Sequence, residues 1–278
     1  VNSTAGFTAL VLAGDRTAAD PVAVATGAAC KAFAPVGGKA VILRVLDALA
    51  ASDMITRTVI CGPPAAALPA CRELQQRIDA GHVTWMANLD SPGKSAENCL
   101  SCLDENTPVL LTTADHALLT PEIVRDFLGS SVAAHADATL GLVEHDTVSA
   151  VFPGMRRTVT RLRDGHFCGC NLYALLTPRG RGLVTFWKRA EQSRKKPWKW
   201  IGQLLGPGTV LSYLFGKLSL DRALNAVSDR TGIRVRPVIL PHARACIDVD
   251  TVADLRLVES ILTDSQRFPG GTRNRLAE

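Results

Sequence analysis

The sequence predicts an α/β domain built on a mostly parallel central sheet, and three observations predict it. Phe7 to Leu12 is an apolar run with the length of a buried central strand. It stops at Ala13-Gly14, where glycine lets the chain turn sharply and brings backbone N–H groups within reach of an anion. Beyond it, strand-like and helix-like segments alternate through Leu128, the pattern of parallel βαβ units with right-handed crossovers.

The elements follow in order. A helix is expected over about Gly38 to Ala51, with Val41, Ile42, Val45, Leu46 and Leu49 on one buried face. Next come a strand at Thr58–Cys61, a helix at Pro69–Ala80, a strand at Val83–Met86 and a helix at Ser95–Leu103. The strand Val109–Thr112 then leads to a helix over Pro121–Leu128, capped by Thr120 and opened by Pro121. Near the end, Thr251-x-x-Asp254 reads as a capping box for a helix reaching about Leu262, which gives Asp254 a local role and removes it from the site. Ligands of such sheets gather beyond the carboxyl ends of the strands, so Gly14, the stretch Ser91 to Ser95 and Asp115 are expected to converge.

Composition bounds the rest. The chain has 278 residues, 47% hydrophobic, with a net charge of +5, enough for one large domain, with residues 186–232 read as a helical basic insertion within it. No apolar stretch approaches the roughly 18 residues of a spanning helix, and the first residues lack the basic start and apolar core of a signal peptide. A cytoplasmic protein is expected. Eight cysteines fit a reducing compartment. Cys99 and Cys102 with Cys168 and Cys170 offer four thiolates, but one pair falls on a helix and the other on a strand, so buried thiols are preferred to zinc. The loop Gly14-Asp15-Arg16-Thr17-Ala18-Ala19 is neither a dinucleotide-binding Gly-x-Gly-x-x-Gly turn nor a P-loop.

Leu12-Ala13-Gly14-Asp15-Arg16, followed by Cys30-Lys31-Ala32-Phe33-Ala34-Pro35-Val36-Gly37-Gly38-Lys39, resembles the signature of the MobA-like nucleotidyltransferases, part of the sugar-phosphate nucleotidyltransferase superfamily. The resemblance runs from about Thr8 to Leu262. It implies a Rossmann-like three-layer α/β/α fold, similar to GT-A. It also implies that Leu12, Ala13, Gly14, Asp15 and Arg16 wrap a nucleoside triphosphate, which Arg16 and Lys31 neutralise. Asp15 stands where the family has a second glycine, and Cys30 where it has proline before the lysine.

Asp115 follows an apolar strand, and a hard carboxylate there suits Mg²⁺, which takes one or two protein carboxylates plus phosphate oxygens. The position resembles the family's metal-binding aspartate. Ala245-Cys246-Ile247-Asp248-Val249-Asp250-Thr251 resembles the family's closing motif; in a strand Asp248 and Asp250 share a face, and Asp250, just before the helix, is the favoured second metal ligand. Asn88 to Ser95 resembles the loop that reads the base, with Ser91, Gly93 and Ser95 as its nucleotide-binding residues. Asn171 matches an asparagine beside the acceptor, with strands expected around it, and Arg157 and Arg161 have the guanidinium forks that suit an acceptor phosphate.

The implied reaction is transfer of a nucleotidyl group from CTP or GTP to a phosphate-bearing small molecule or lipid-linked acceptor, with release of pyrophosphate. A GT-A-type glycosyltransferase and a non-catalytic nucleotide-binding module are the alternatives. Six basic residues and one acid between Lys188 and Trp200 accompany Trp198 and Trp200. That stretch suits a peripheral contact with the inner membrane surface or a solvated insertion, and no nucleic-acid-binding module accompanies it.

Overall fold

Phe7–Leu12 forms β1, buried along its whole length, as an apolar run covered on both faces must be. Its side chains alternate: Ala9 and Val11 join one apolar core, Leu10 and Leu12 the other. The first core also takes Ile42, Leu46, Phe127 and Val258, and the second takes Cys99, Leu100 and Val184. Helices therefore cover both faces of the sheet, giving three layers. The computed structural model describes residues 6–15, 19–155, 157–192 and 206–263.

The strands are β1, β2 (Pro35–Val36), β3 (Lys39–Ala40), β4 (Ile55–Cys61), β5 (Thr84–Met86), β6 (Val109–Thr113), β7 (Ala138–Glu144), β8 (Val159–Leu162), β9 (Gly165–Leu175) and β10 (Val235–Ile239). The main sheet runs β10-β7-β9-β6-β1-β4-β5, with β8 on β9. β1, β4, β5 and β6 pair in parallel, as do β7 and β10, while β9 runs against β6, β7 and β8. The helices are α1 (Pro21–Thr26), α2 (Val41–Ala50), α3 (Arg72–Asp79), α4 (Pro92–Ser101), α5 (Pro121–Ala133), α6 (His145–Val151), α7 (Gly182–Gln192), α8 (Pro207–Leu214), α9 (Leu220–Thr231) and α10 (Val252–Thr263).

Several boundaries differ from expectation for local reasons. α2 begins at Val41 rather than Gly38, because Gly37 (φ 53°) and Gly38 (φ 75°) make the tight hairpin turn between β2 and β3. The expected helix at Pro69 divides into a 3₁₀ turn, Ala65–Ala70, and α3, with Cys71 non-helical between them. α4 begins at Pro92 rather than Ser95, because the Ser91 hydroxyl accepts the Lys94 N–H and Pro92 presets the first turn. Two caps fall where the sequence put them: Thr120 accepts the Ile123 N–H, and Thr251 and Asp254 bond reciprocally.

The four thiolates considered for zinc do not meet. Cys99 lies in one core and Cys168 and Cys170 in the other. All eight cysteines are free thiols, and only Cys102 is exposed. Between β9 and β10 lie α7, α8 and α9; residues 193–205, which carry most of the basic, tryptophan-containing stretch, lie outside the described residues. α8 buries none of its side chains, and Leu211, Leu214 and Phe215 are exposed. Among the described residues no helix is long and apolar enough to cross a membrane.

Candidate active site

The loops leaving β1, β4 and β6 are tied together at the carboxyl edge of the sheet. Ala13 N–H donates to the Cys61 carbonyl at 2.8 Å, Ala114 N–H to the Leu12 carbonyl at 2.8 Å, and Gly62 N–H to the Met86 carbonyl at 2.8 Å. Gly14 faces Asn88 so closely that a Cβ would lie 3.2 Å from the Asn88 amide nitrogen. The Asp15 carboxylate accepts the backbone N–H of Lys31 at 3.1 and 3.2 Å, which fixes the 3₁₀ turn Lys31–Phe33 against the loop.

From that turn the Lys31 ammonium reaches between two carboxylates, 2.5 Å from Asp115 Oδ2 and 3.0 Å from Asp250 Oδ1. Asp115 follows β6, and Asp250 sits on the approach to α10; the Val249 N–H, donated to the Asp115 carbonyl at 2.9 Å, joins the two segments. Burial works to lower the pKa of Lys31, but Asp115 and Asp250 outweigh it and hold the ammonium above its ordinary value. Burial likewise pushes Asp115 up, and the Lys31 charge outweighs it, so its carboxyl stays below the usual range. Both groups are therefore charged near neutral pH. Among the described residues Asp115 Oδ1 is buried without a hydrogen-bond partner. A hard oxygen with free lone pairs beside a second carboxylate suits a divalent cation such as Mg²⁺.

Asp248 goes elsewhere. The segment from Ile247 to Thr251 is not a strand, so the expected shared face of Asp248 and Asp250 does not exist. The Asp248 carboxylate pairs with the Arg157 guanidinium and accepts the Asn171 side-chain amide at 2.7 Å. Burial raises its pKa to about 6, with Arg157 opposing and Asp115 and Asp250 reinforcing. Asn171 makes this contact from a left-handed backbone conformation, φ 50°, beside a bulge in β9.

A cleft opens over these groups in two lobes. The first, about 420 Å³, takes in Leu12, Ala13, Gly14, Asp15, Lys31, Asp115, Asn171 and Asp250. The second, about 330 Å³, takes in Ser91 and Ser95 with the loop from Asn88. Leu12, Gly14, Asp15, Pro92 and Glu191 border both, so the lobes form one trough. Ser95 is buried and its hydroxyl accepts the Leu89 N–H at 2.8 Å, holding the loop in shape. Gly93 lines neither lobe. It lies beneath α7, where a Cβ would come 2.9 Å from the Lys188 Cα.

The remaining sequence candidates are placed as follows. Arg16 lies outside the described residues. Arg157 borders neither lobe and is engaged by Asp248, while Arg161 is exposed on β8 and borders neither lobe. Sequence reasoning missed Glu191, whose Oε2 accepts the Gly93 N–H at 3.0 Å and borders both lobes. Its signal was an acid isolated in a basic run. Lys188 pairs with Glu97 at 2.5 Å, a second tie between α7 and α4. Glu122, Asp126 and His242 also cluster, but none of them borders the cleft.

A three-layer α/β domain with a cationic side chain, paired aspartates and a glycine loop at one sheet edge belongs to the nucleotide-handling class. The family model of the MobA-like NTP transferase domain matches residues 9–179, and the chain belongs to that family. It is a nucleotidyltransferase. A structure from Thermus thermophilus described as a hypothetical transferase is similar at TM-score 0.74 and 29% identity, covering 90% of this chain and 99% of its own. The 4-diphosphocytidyl-2C-methyl-D-erythritol synthase of Anaerococcus prevotii aligns at TM-score 0.58 and 13% identity, over 94% of this chain and 100% of its own. A CMP:2-keto-3-deoxy-manno-octonic acid synthetase complexed with CTP gives TM-score 0.53 and 13% identity, over 95% and 100%. At 13% identity the last two establish the fold alone. No curated protein matches the chain.

Proposed function

We propose that the chain transfers a nucleoside monophosphate from CTP or GTP to a phosphate-bearing acceptor, with Mg²⁺ and release of pyrophosphate. The observation that carries this reading is the Lys31 ammonium held between Asp115 and Asp250 beside the loop after β1. In the reaction, Lys31 turns from the carboxylates to the triphosphate and offsets its charge, while the Gly14 loop supplies backbone N–H donors. Asp115 and Asp250 would hold the metal, which would screen phosphate charge and polarise the phosphorus–oxygen bonds. Asp15 positions Lys31 through its backbone.

An acceptor phosphate is already ionised and needs no general base. The buried His116 fits that economy: burial pushes it down to about 4, against the pull of Asp115, so it stays neutral. Ser91, Ser95 and the backbone around Gly93 are assigned to the base, and Asn171 to the acceptor side. Arg157 serves that side through Asp248, and Arg161 and Arg16 remain assigned to phosphate. The exposed Leu211 and Leu214 of α8 and Phe215 just beyond it, close in sequence to the basic stretch, support a peripheral contact with an anionic membrane surface.

CTP, bound in one structural neighbour, is the first donor to test. Thermal melting with CTP, GTP, UTP, ATP and dTTP, each with and without Mg²⁺, reads binding directly. A Mg²⁺-dependent rise with one nucleotide supports the reading and selects the donor. No shift with any of them refutes it.

A further inference from the structure

An apolar pocket of about 280 Å³ adjoins the first lobe of the cleft and shares Leu111, Tyr173 and Trp187 with it. The two are laid out along the same pair of strands. On β9, Asn171 borders the cleft, Tyr173 borders both spaces and Leu175 borders the pocket, at the two-residue spacing that puts side chains on one face. On β6, Thr113 borders the cleft and Leu111 both, with Leu111 paired directly to Tyr173. A single floor therefore runs from the paired aspartates into the pocket.

The chemistry changes along that floor. The cleft carries Lys31, Asp15, Asp20, Asp115, Glu191 and Asp250, whereas among the described residues no charged side chain borders the pocket. Of its hydroxyls, that of Thr139 is already bonded to Ser131 at 2.6 Å. The outer wall is made by α7 and α9, including Leu224 and Val227, and both helices lie beyond the residues 9–179 that the family model matches. A charge-free recess opening onto a phosphate-handling trough suits an amphiphile, with its polar end in the trough and its apolar end in the recess.

We propose that this pocket binds the apolar tail of the acceptor, which makes the acceptor a phosphate monoester carrying an alkyl or prenyl group. The inference rests on the transferase reading, since it assigns the head of the same molecule to the Asn171 side of the cleft. Water leaving the pocket and the tail supplies the affinity, and each buried methylene adds roughly a three- to fourfold gain. Selection then acts on chain length, which a wholly polar acceptor site would ignore.

The probes are inorganic phosphate, butyl phosphate and octyl phosphate, titrated calorimetrically below micelle-forming concentrations into the full chain. Wild type is compared with Leu224→Trp and Val227→Trp, two half-buried positions on α9 where the larger side chain fills the recess. Melting shifts with CTP, GTP, UTP, ATP and dTTP, each with Mg²⁺, are recorded on all three proteins. The expected result is octyl phosphate binding at least tenfold tighter than butyl phosphate to wild type. Each folded tryptophan variant should lose most of that gain and keep the nucleotide shift. Equal binding of the two alkyl phosphates, or a chain-length gain that survives both variants, overturns the pocket assignment and leaves the transferase reading standing. A chain-length gain without any nucleotide shift overturns the transferase reading, and with it the assignment of the tail to an acceptor.

Discussion

Lys31 and Asp115, 84 positions apart in sequence, meet with 2.5 Å between Nζ and Oδ2, and Asp250 closes on the same ammonium at 3.0 Å. The cation satisfies carboxylates that would otherwise repel one another at the sheet edge. It also occupies the charge balance that a metal and a triphosphate would complete. The arrangement predicts linked losses when its members are removed.

Asp115→Asn should lower nucleotidyl transfer by at least about a hundredfold, because the amide neither holds a cation nor balances Lys31. Lys31 keeps Asp250 as a partner, so the variant should still unfold cooperatively. Pyrophosphate release and circular dichroism melting check the two halves. Near-normal turnover in a folded variant removes Asp115 from the reaction.

Lys31→Met should weaken Mg²⁺-nucleotide binding by about tenfold or more, the scale of a lost charge-assisted hydrogen bond. Titration calorimetry reads it. Asp15→Gly should act on the same group at one remove, since Asp15 holds the Lys31 backbone rather than its ammonium. A much smaller affinity loss than in Lys31→Met is the expected outcome.

Glu191→Ala should tighten nucleotide binding severalfold. The change frees the Gly93 N–H and takes a negative charge from a wall common to both lobes. Glu191→Gln separates the effects, since it removes the charge and keeps an acceptor for the N–H. Weaker binding in Glu191→Ala but not in Glu191→Gln would mean that α7 must stay fastened for the nucleotide to bind. Gly93→Ala should instead destabilise by about 1–3 kcal/mol, because its Cβ meets not only the movable Glu191 carboxylate but also the Lys188 backbone.

Asp137 supplies a pH prediction away from the site. Burial pushes its carboxyl up, but the backbone N–H of Arg234 and the Thr177 hydroxyl outweigh this and hold it below its ordinary 3.8. A folded pKa depressed in this way contributes stability that is present above the unfolded value and lost as pH falls through the folded one. Asp137→Asn should therefore be less stable than wild type at pH 7, by about 1–2 kcal/mol. The gap should start to shrink below about pH 4 and close as pH falls through the depressed folded value, where the native carboxyl protonates. Urea unfolding at both pH values checks it, and a gap independent of pH refutes it.

What the sequence determined by itself were features whose cause lies within a few residues. The apolar run of β1, the Thr120 and Thr251 caps, and the placement of Gly14 and Asp115 at strand ends are of this kind. The family motifs added Lys31 and Asp250 as candidates. Local signals also misled where two competed: Ser91 with Pro92 starts α4 ahead of Ser95, and the Gly37-Gly38 turn delays α2. Only the tertiary structure decided that Asp250 faces Lys31 while Asp248 turns to Arg157 and Asn171, that Glu191 reaches Gly93, and that an apolar recess continues the cleft. Propensity and capping act through the backbone over one or two turns. These other relationships depend on strand order, which sets β9 between β6 and β7 and brings β1 beside β6 from a distant part of the chain. Their energies exist only after the sheet has closed those distances, so no stretch of sequence carries them alone.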